Sequence, residues 1–180
     1  MKHIDSSERL FFALWPDQNT RNSIQAIMQL PEVANSGKLV RIDNLHITLE
    51  FLGQVSGKDK EELIQSIDKL QHEPFELELN RMGWWPKPQI LWIGTTQIPR
   101  ELIQLVKSIR NCVKKQGLKS EKREYIPHVT IARKVKQKIS AKDGIKVKWN
   151  ADSFVLVAST TSSDGVKYDV IDKWFFTKKP

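Results

Sequence analysis

Apolar residues change period several times along this chain, and each change marks an element. RLFFALW (residues 9–15) is a short apolar run that reads as a strand. PDQNTRNSIQAIMQL (16–30) then offers Pro16 near a helix start and Ile24, Ile27 and Met28 at helical spacing. LHITLEFLG (45–53) is again strand-like, and GKDKEELIQSIDKLQ (57–71) puts Leu63, Ile64, Ile67 and Leu70 on one helical face. FELELNRMGWW (75–85) and QILWIGTT (89–96), joined through Pro86 and Pro88, are expected to form a hairpin. The clearest helix is PRELIQLVKSIRNCVKKQG (99–117), which opens on Pro99, turns Leu102, Leu105, Val106, Ile109, Cys112 and Val113 inward, and closes on Gly117. HVTIARK, IKVKWN, SFVLVAST and YDVIDKWFF follow as strands rich in β-branched or aromatic residues. Strands mixed with three main helices predict an α+β domain in which helices cover outer sheet faces and leave another face or groove open.

Length and composition narrow the class. A chain of 180 residues is the size of one domain, and folding at this length hides roughly 70% of the unfolded surface. No linker divides it, so residues 1–180 are expected to be a single domain. Cys112 is the only cysteine, which rules out an intrachain disulfide or a cysteine-based zinc site. MKHIDSSERLFFALWPD lacks the uninterrupted apolar stretch of a signal peptide, and no run is long enough to span a bilayer. The expected setting is soluble and cytoplasmic, without membrane partners. A net charge of +8, densest in VKKQGLKSEKR and RKVKQK, favours an anionic partner; a solvated, solubilising surface is the plainer explanation.

Two of the four histidines occur in one short arrangement: His46-Ile47-Thr48 and His128-Val129-Thr130. Residues two apart on a strand share a face, so each motif would present an imidazole beside a hydroxyl. Ile47, Leu49 and Phe51, like Val129 and Ile131, would face the other way, towards packed helices. The motifs divide the chain into halves that each carry a helix before a His-x-Thr strand, the pattern of a diverged duplication. Pseudo-twofold symmetry would set the histidines across a groove. In-line displacement at phosphorus uses that geometry, since one group deprotonates the attacker and another protonates the leaving oxygen. Imidazole suits both tasks with a pKa near 6.5. Thr48 and Thr130 can donate to nonbridging phosphate oxygens, and Arg133 adds a forked cation. Simple alternation puts Arg133 on the wrong strand face, so it must reach the groove past a bulge or strand end. One His-x-Thr alone is usually a buried, hydrogen-bonded histidine; two in matched settings favour function.

NLHITLEFLG and PHVTIAR resemble the signature motifs of the two-histidine phosphoesterases, specifically the RNA 2',3'-cyclic phosphodiesterases or 2'-5' RNA ligases of the LigT type. RLFFALWPD resembles that family's opening strand, and FVLVAST with YDVIDKWFF its final hairpin. The resemblance implies a bilobal, pseudo-twofold α+β fold whose antiparallel sheets form a central cleft with helices outside. It implies no metal and no cofactor, and hydrolysis of a terminal 2',3'-cyclic phosphate to a 2'-phosphomonoester. Carried over by motif, His46 is the proton donor to O3', His128 the proton acceptor from water, and Thr48, Thr130 and Arg133 hold the phosphate. The implied partner is RNA with a 2',3'-cyclic phosphate end, tRNA fragments among the candidates, and the implied state is a monomer. Some members also join RNA ends through a 2'-5' linkage. This chain departs from the pattern in GKLVRIDNLHIT, which lacks a tryptophan frequent before the first motif, and at Ile126, where a basic residue is frequent. Both departures bear on substrate preference.

Other features carry less. Trp84, Trp85, Trp92, Trp149 and Trp174 invite base stacking, but core packing is the stronger explanation. His3 and His72 lie away from either motif. Acidic residues are scattered and neither motif has a neighbour at metal-ligand spacing, so no metal site is expected. Two other readings stay open: a phosphodiesterase for 2'-5' oligonucleotides or small cyclic nucleotides, and a non-catalytic RNA-end-binding module.

Overall fold

The computed structural model describes residues 7–139, 144–163 and 165–178; His3 lies outside them. In chain order the elements are β1 (Glu8–Leu14), α1 (Gln18–Met28), α2 (Pro31–Ala34), β2 (Lys38–Leu39), a 3-10 turn at Ile42–Asn44, β3 (Ile47–Val55) and α3 (Gly57–Ile67). There follow β4 (Phe75–Leu79), β5 (Arg81–Trp85), β6 (Ile90–Gly94), α4 (Arg100–Lys115), β7 (His128–Arg133), β8 (Val147–Ala151), β9 (Ser153–Ser162) and β10 (Gly165–Phe175). Helix starts follow their caps. Asp17 accepts from the Thr20 amide at 2.7 Å, and Ser56 accepts from the Asp59 amide at 3.1 Å, each satisfying an otherwise unpaired first-turn donor. At its far end α4 stops at Gly117, whose φ of 71° suits glycine and lets the Leu118 amide reach the Val113 carbonyl at 3.1 Å.

All but two strands join one sheet in the order β10-β9-β1-β3-β7-β6-β5, with β2 paired on the edge of β7; β4 and β8 form a separate pair. The helices bury their apolar stripes on one face, where Ile24, Leu63, Ile67, Leu105 and Ile109 join Leu10, Ile47, Val129 and Leu156 in one hydrophobic cluster. Hiding this many aliphatic side chains, each at roughly 1.5–3 kcal/mol, is the main force closing the fold. The opposite face stays open, as the sequence anticipates.

Two expectations change. FELEL does not continue into the hairpin: β5 pairs with β6 from Trp85–Ile90 back to Arg81–Gly94, whereas β4 pairs with β8. Asn80 is the switch, its amide bonded to the Gly94 carbonyl and its side chain accepting from the Thr96 amide, while Phe75, Leu77 and Leu79 turn towards Ala151, Trp149 and Val147. Nor are the two lobes two chain halves. One contains β1, β3, β9 and β10 from both ends of the chain, and the other β5, β6 and β7 from farther along it, joined by the short β2, which precedes β3 in sequence but pairs with β7.

Candidate active site

The lobes meet where β3 and β7 touch, and that antiparallel contact has a single bridging pair, Ile47 with Val129. Opposed residues in an antiparallel pair share a face. With Ile47 opposite Val129, the register sets His46 across from Thr130 and Thr48 across from His128. Since Ile47 and Val129 are buried in the core, the four polar residues stand together on the open face. The local pseudo-twofold axis passes between Ile47 and Val129, and the pairing extends outward symmetrically: β1 sets Ala13 beside Thr48, and β6 sets Trp92 beside Thr130.

The imidazoles are held alike. His46 Nδ1 lies 2.7 Å from the Asn44 carbonyl and His128 Nδ1 2.7 Å from the Ile126 carbonyl. A carbonyl only accepts, so each Nδ1 carries a hydrogen and each Nε2 is left for chemistry. The Thr48 hydroxyl lies 3.1 Å from His46 Nε2 and can donate to it. His46 is packed among Phe11, Trp15 and Tyr168 at 5.0, 5.6 and 5.2 Å, and His128 against Trp85 and Trp92 at 4.6 and 6.2 Å.

Arg133 reaches the open face through a bulge. The pairing of β6 with β7 skips Ile131, between Trp92 opposite Thr130 and Leu91 opposite Ala132, so alternation inverts and Arg133, opposite Ile90, comes out on the histidine side. The same device occurs in β3, where the pairing with β1 skips Leu49. This corrects the expectation for Phe51, which does not face the core. It stands 42% exposed on the open face at the position equivalent to Arg133. A cation on one strand and an aromatic ring on the other make the cleft chemically asymmetric.

A cavity of about 780 Å³ extends from His128 and Thr48 past Phe51, Trp85, Ile126 and Arg123. Its rear wall rests on a buried charge: Glu50 accepts from Arg110 Nε and from the Glu121 amide, both at 2.8 Å, which anchors the strap leading into β7.

The family model described as the 2'-5' RNA ligase superfamily matches residues 16–159. The chain belongs to that superfamily. Among related superfamily proteins is the RNA 2',3'-cyclic phosphodiesterase of Escherichia coli (strain K12), 29% identical over 97% of this chain and 100% of its own. The enzyme of that name from Methanocaldococcus jannaschii is 32% identical, covering 92% of this chain and 99% of its own. Similar solved structures include E. coli LigT complexed with 3'-AMP, at 29% identity and a TM-score of 0.88, with 96% of this chain and 100% of that one covered. Another is E. coli LigT in apo form, at 29% identity and 0.87, with 96% and 99% covered.

Electrostatics within this superfamily cleft disfavour charged imidazoles. Burial pushes the His46 pKa down to about 4; the Asn44 carbonyl opposes this, while His128 and Arg133 repel its charged form. Burial likewise lowers His128, opposed by the Ile126 carbonyl and assisted by Arg133. Arg133 therefore acts on both rings. Of the tryptophans weighed in the sequence, Trp149 is core, Trp84 donates to the Val135 carbonyl and Trp174 to Asp68, leaving Trp85 and Trp92 beside the site. His72 instead packs against Phe176. Sequence reasoning missed Trp15, Phe11, Tyr168 and the Glu50–Arg110 pair. Trp15 directly follows an apolar strand and precedes Pro16, a strand-end position that could have suggested it.

Gly83 lies opposite Trp92, and a Cβ there would overlap the indole. Gly83→Ala should cost roughly 1–3 kcal/mol of stability by overpacking. It should also lower activity, because the displaced Trp92 ring lies against His128; urea titration and turnover assays check the two effects.

Proposed function

We propose that this protein hydrolyses the 2',3'-cyclic phosphate at an RNA end to a 2'-phosphomonoester, in a single domain whose two lobes share one core. The observation that carries the reading is the Ile47–Val129 register, which gathers two imidazoles and two hydroxyls on one face, with the Ile131 bulge bringing Arg133 to them. Support also comes from relatives named RNA 2',3'-cyclic phosphodiesterase and from a neighbour crystallised with 3'-AMP.

The phosphate sits between the rings, its nonbridging oxygens taking hydrogen bonds from Thr48, Thr130 and Arg133 as charge builds in the transition state. His128 Nε2 removes a proton from water as the water oxygen bonds to phosphorus. The P–O3' bond breaks, and His46 Nε2 gives its proton to O3', leaving a 3'-hydroxyl and a 2'-phosphate. His128 is left charged with the proton taken from water and His46 is left neutral, and proton exchange with solvent resets the pair. Depressed basicity makes His46 a strong acid once it is charged. The entering phosphate anion favours that charged state by offsetting Arg133. With the 5'-hydroxyl of a second RNA attacking phosphorus in place of water, its proton passing to His128 and O3' again leaving with a proton from His46, the same residues form a 2'-5' linkage.

The pH dependence tests this pairing. The productive form carries one proton over the two rings, so activity falls below the lower pKa, where no base remains, and above the higher, where no acid remains. Unperturbed imidazoles would centre the profile near neutrality. Because both are depressed in the free protein, kcat/KM should peak on the acid side of 6.5 and decline at higher pH. The kcat profile should lie at higher pH, since bound phosphate raises both groups. A kcat/KM profile flat from pH 5 to 8 would contradict the mechanism.

A further inference from the structure

An RNA end has nucleotides on one side only, so the body of the substrate must leave the cleft in one direction, and the surroundings of the two histidines differ. Beyond His46, past Trp15, lies a small hollow of about 220 Å³ whose charged walls are Asp17, Asp152 and Lys173. Beyond His128 the large cleft runs to Glu121, and Glu121 also lines a second hollow of about 620 Å³ with Lys114, Lys119 and Lys122. The ridge between cleft and hollow offers little repulsion, because Glu121 is paired with Arg123 at 2.7 Å and Glu50 is buried against Arg110. The exposed Glu124 is the opposing charge that remains. Among the described residues, no ion pair within 4 Å occupies Lys114, Lys119 or Lys122, so their charges are available to a polyanion.

Resting on the proposed reaction, we propose that the RNA body, whose terminal ribose stands on the His46 side of phosphorus with its departing O3', turns across Thr48 and Phe51 into the large cleft, leaving the His128 ring to the attacking water, and lays the phosphates preceding the cyclised end past Arg123 along Lys114, Lys119 and Lys122. This surface makes the protein an enzyme of RNA chains in preference to single nucleotides, because each neutralised phosphate adds a salt-dependent increment to binding.

The test compares a 10-nucleotide RNA ending in 2',3'-cyclic phosphate with a mononucleotide 2',3'-cyclic phosphate, using the wild-type chain, K114E/K119E/K122E, and a control K58E/K148E/K178E whose positions line neither cavity. KM for the RNA should rise roughly tenfold or more in the first variant and much less in the control. The dependence of log KM on log salt should flatten by about 2, from three contacts at about 0.7 each. Mononucleotide turnover should stay within about twofold. Equal RNA kinetics in wild type and the first variant would overturn the exit path while leaving the reaction standing, as would equal losses in both variants. Absence of turnover on both substrates by the wild-type chain would overturn the reaction and the exit path with it.

Discussion

Replacing His128 by alanine should lower kcat for a 2',3'-cyclic phosphate by roughly 10²–10⁴-fold, and replacing His46 should do the same, the range for losing one positioned acid or base. The double variant should be far less impaired than the product of the two losses, because each ring contributes only when the other is present to complete the proton transfer. Fold loss is the competing explanation, and it is separable. His46 touches Phe11, Trp15 and Tyr168, so alanine there leaves a gap in that cluster, whereas His46→Gln keeps much of the volume and removes the acid. Both His46 variants should be equally inactive while differing in stability. Wild-type binding of the RNA end without turnover would instead favour a binding module.

The largest stability effect is expected at Glu50 and Arg110. Glu50 is fully buried, and its carboxylate is satisfied by Arg110 and the Glu121 amide. Arg110→Leu strands that charge and should destabilise the chain by about 3–5 kcal/mol, visible as a fall in the urea midpoint. Glu50→Leu combined with Arg110→Leu should recover most of the loss, since an apolar pair of similar volume removes the buried charge. Activity should not recover in parallel. The double variant lacks the acceptor for the Glu121 amide, so the strap that leads through Ile126 to His128 loses an anchor, and the Ile126 carbonyl is what orients the His128 ring. Recovery of stability without recovery of kcat is the signature that separates positioning from folding.

What the sequence could reveal followed from local period. His46 with Thr48 and His128 with Thr130 are two apart on strands, and the matching apolar residues between them, Ile47 and Val129, proved to be the bridging pair that joins the lobes. The helices were equally legible, because their stripes and caps are local. Side-chain direction beyond each motif was not, since one skipped residue inverts every later position. The bulge at Leu49 turned Phe51 outward against expectation, and the bulge at Ile131 supplied the detour that Arg133 required. Long-range pairings were also hidden. Nothing near FELEL names β8 as its partner, and Glu50 finds Arg110 sixty positions away. The aromatic bed of His46 comes from β1, the residue after it and β10, which only the folded sheet brings together.

The most direct test of the central claim is to incubate the wild-type chain with a short RNA ending in 2',3'-cyclic phosphate, in excess EDTA, and to locate the product phosphate by phosphorus NMR. The account predicts undiminished turnover to a 2'-phosphomonoester with a free 3'-hydroxyl. A 3'-phosphate product, or turnover abolished by EDTA, would contradict it.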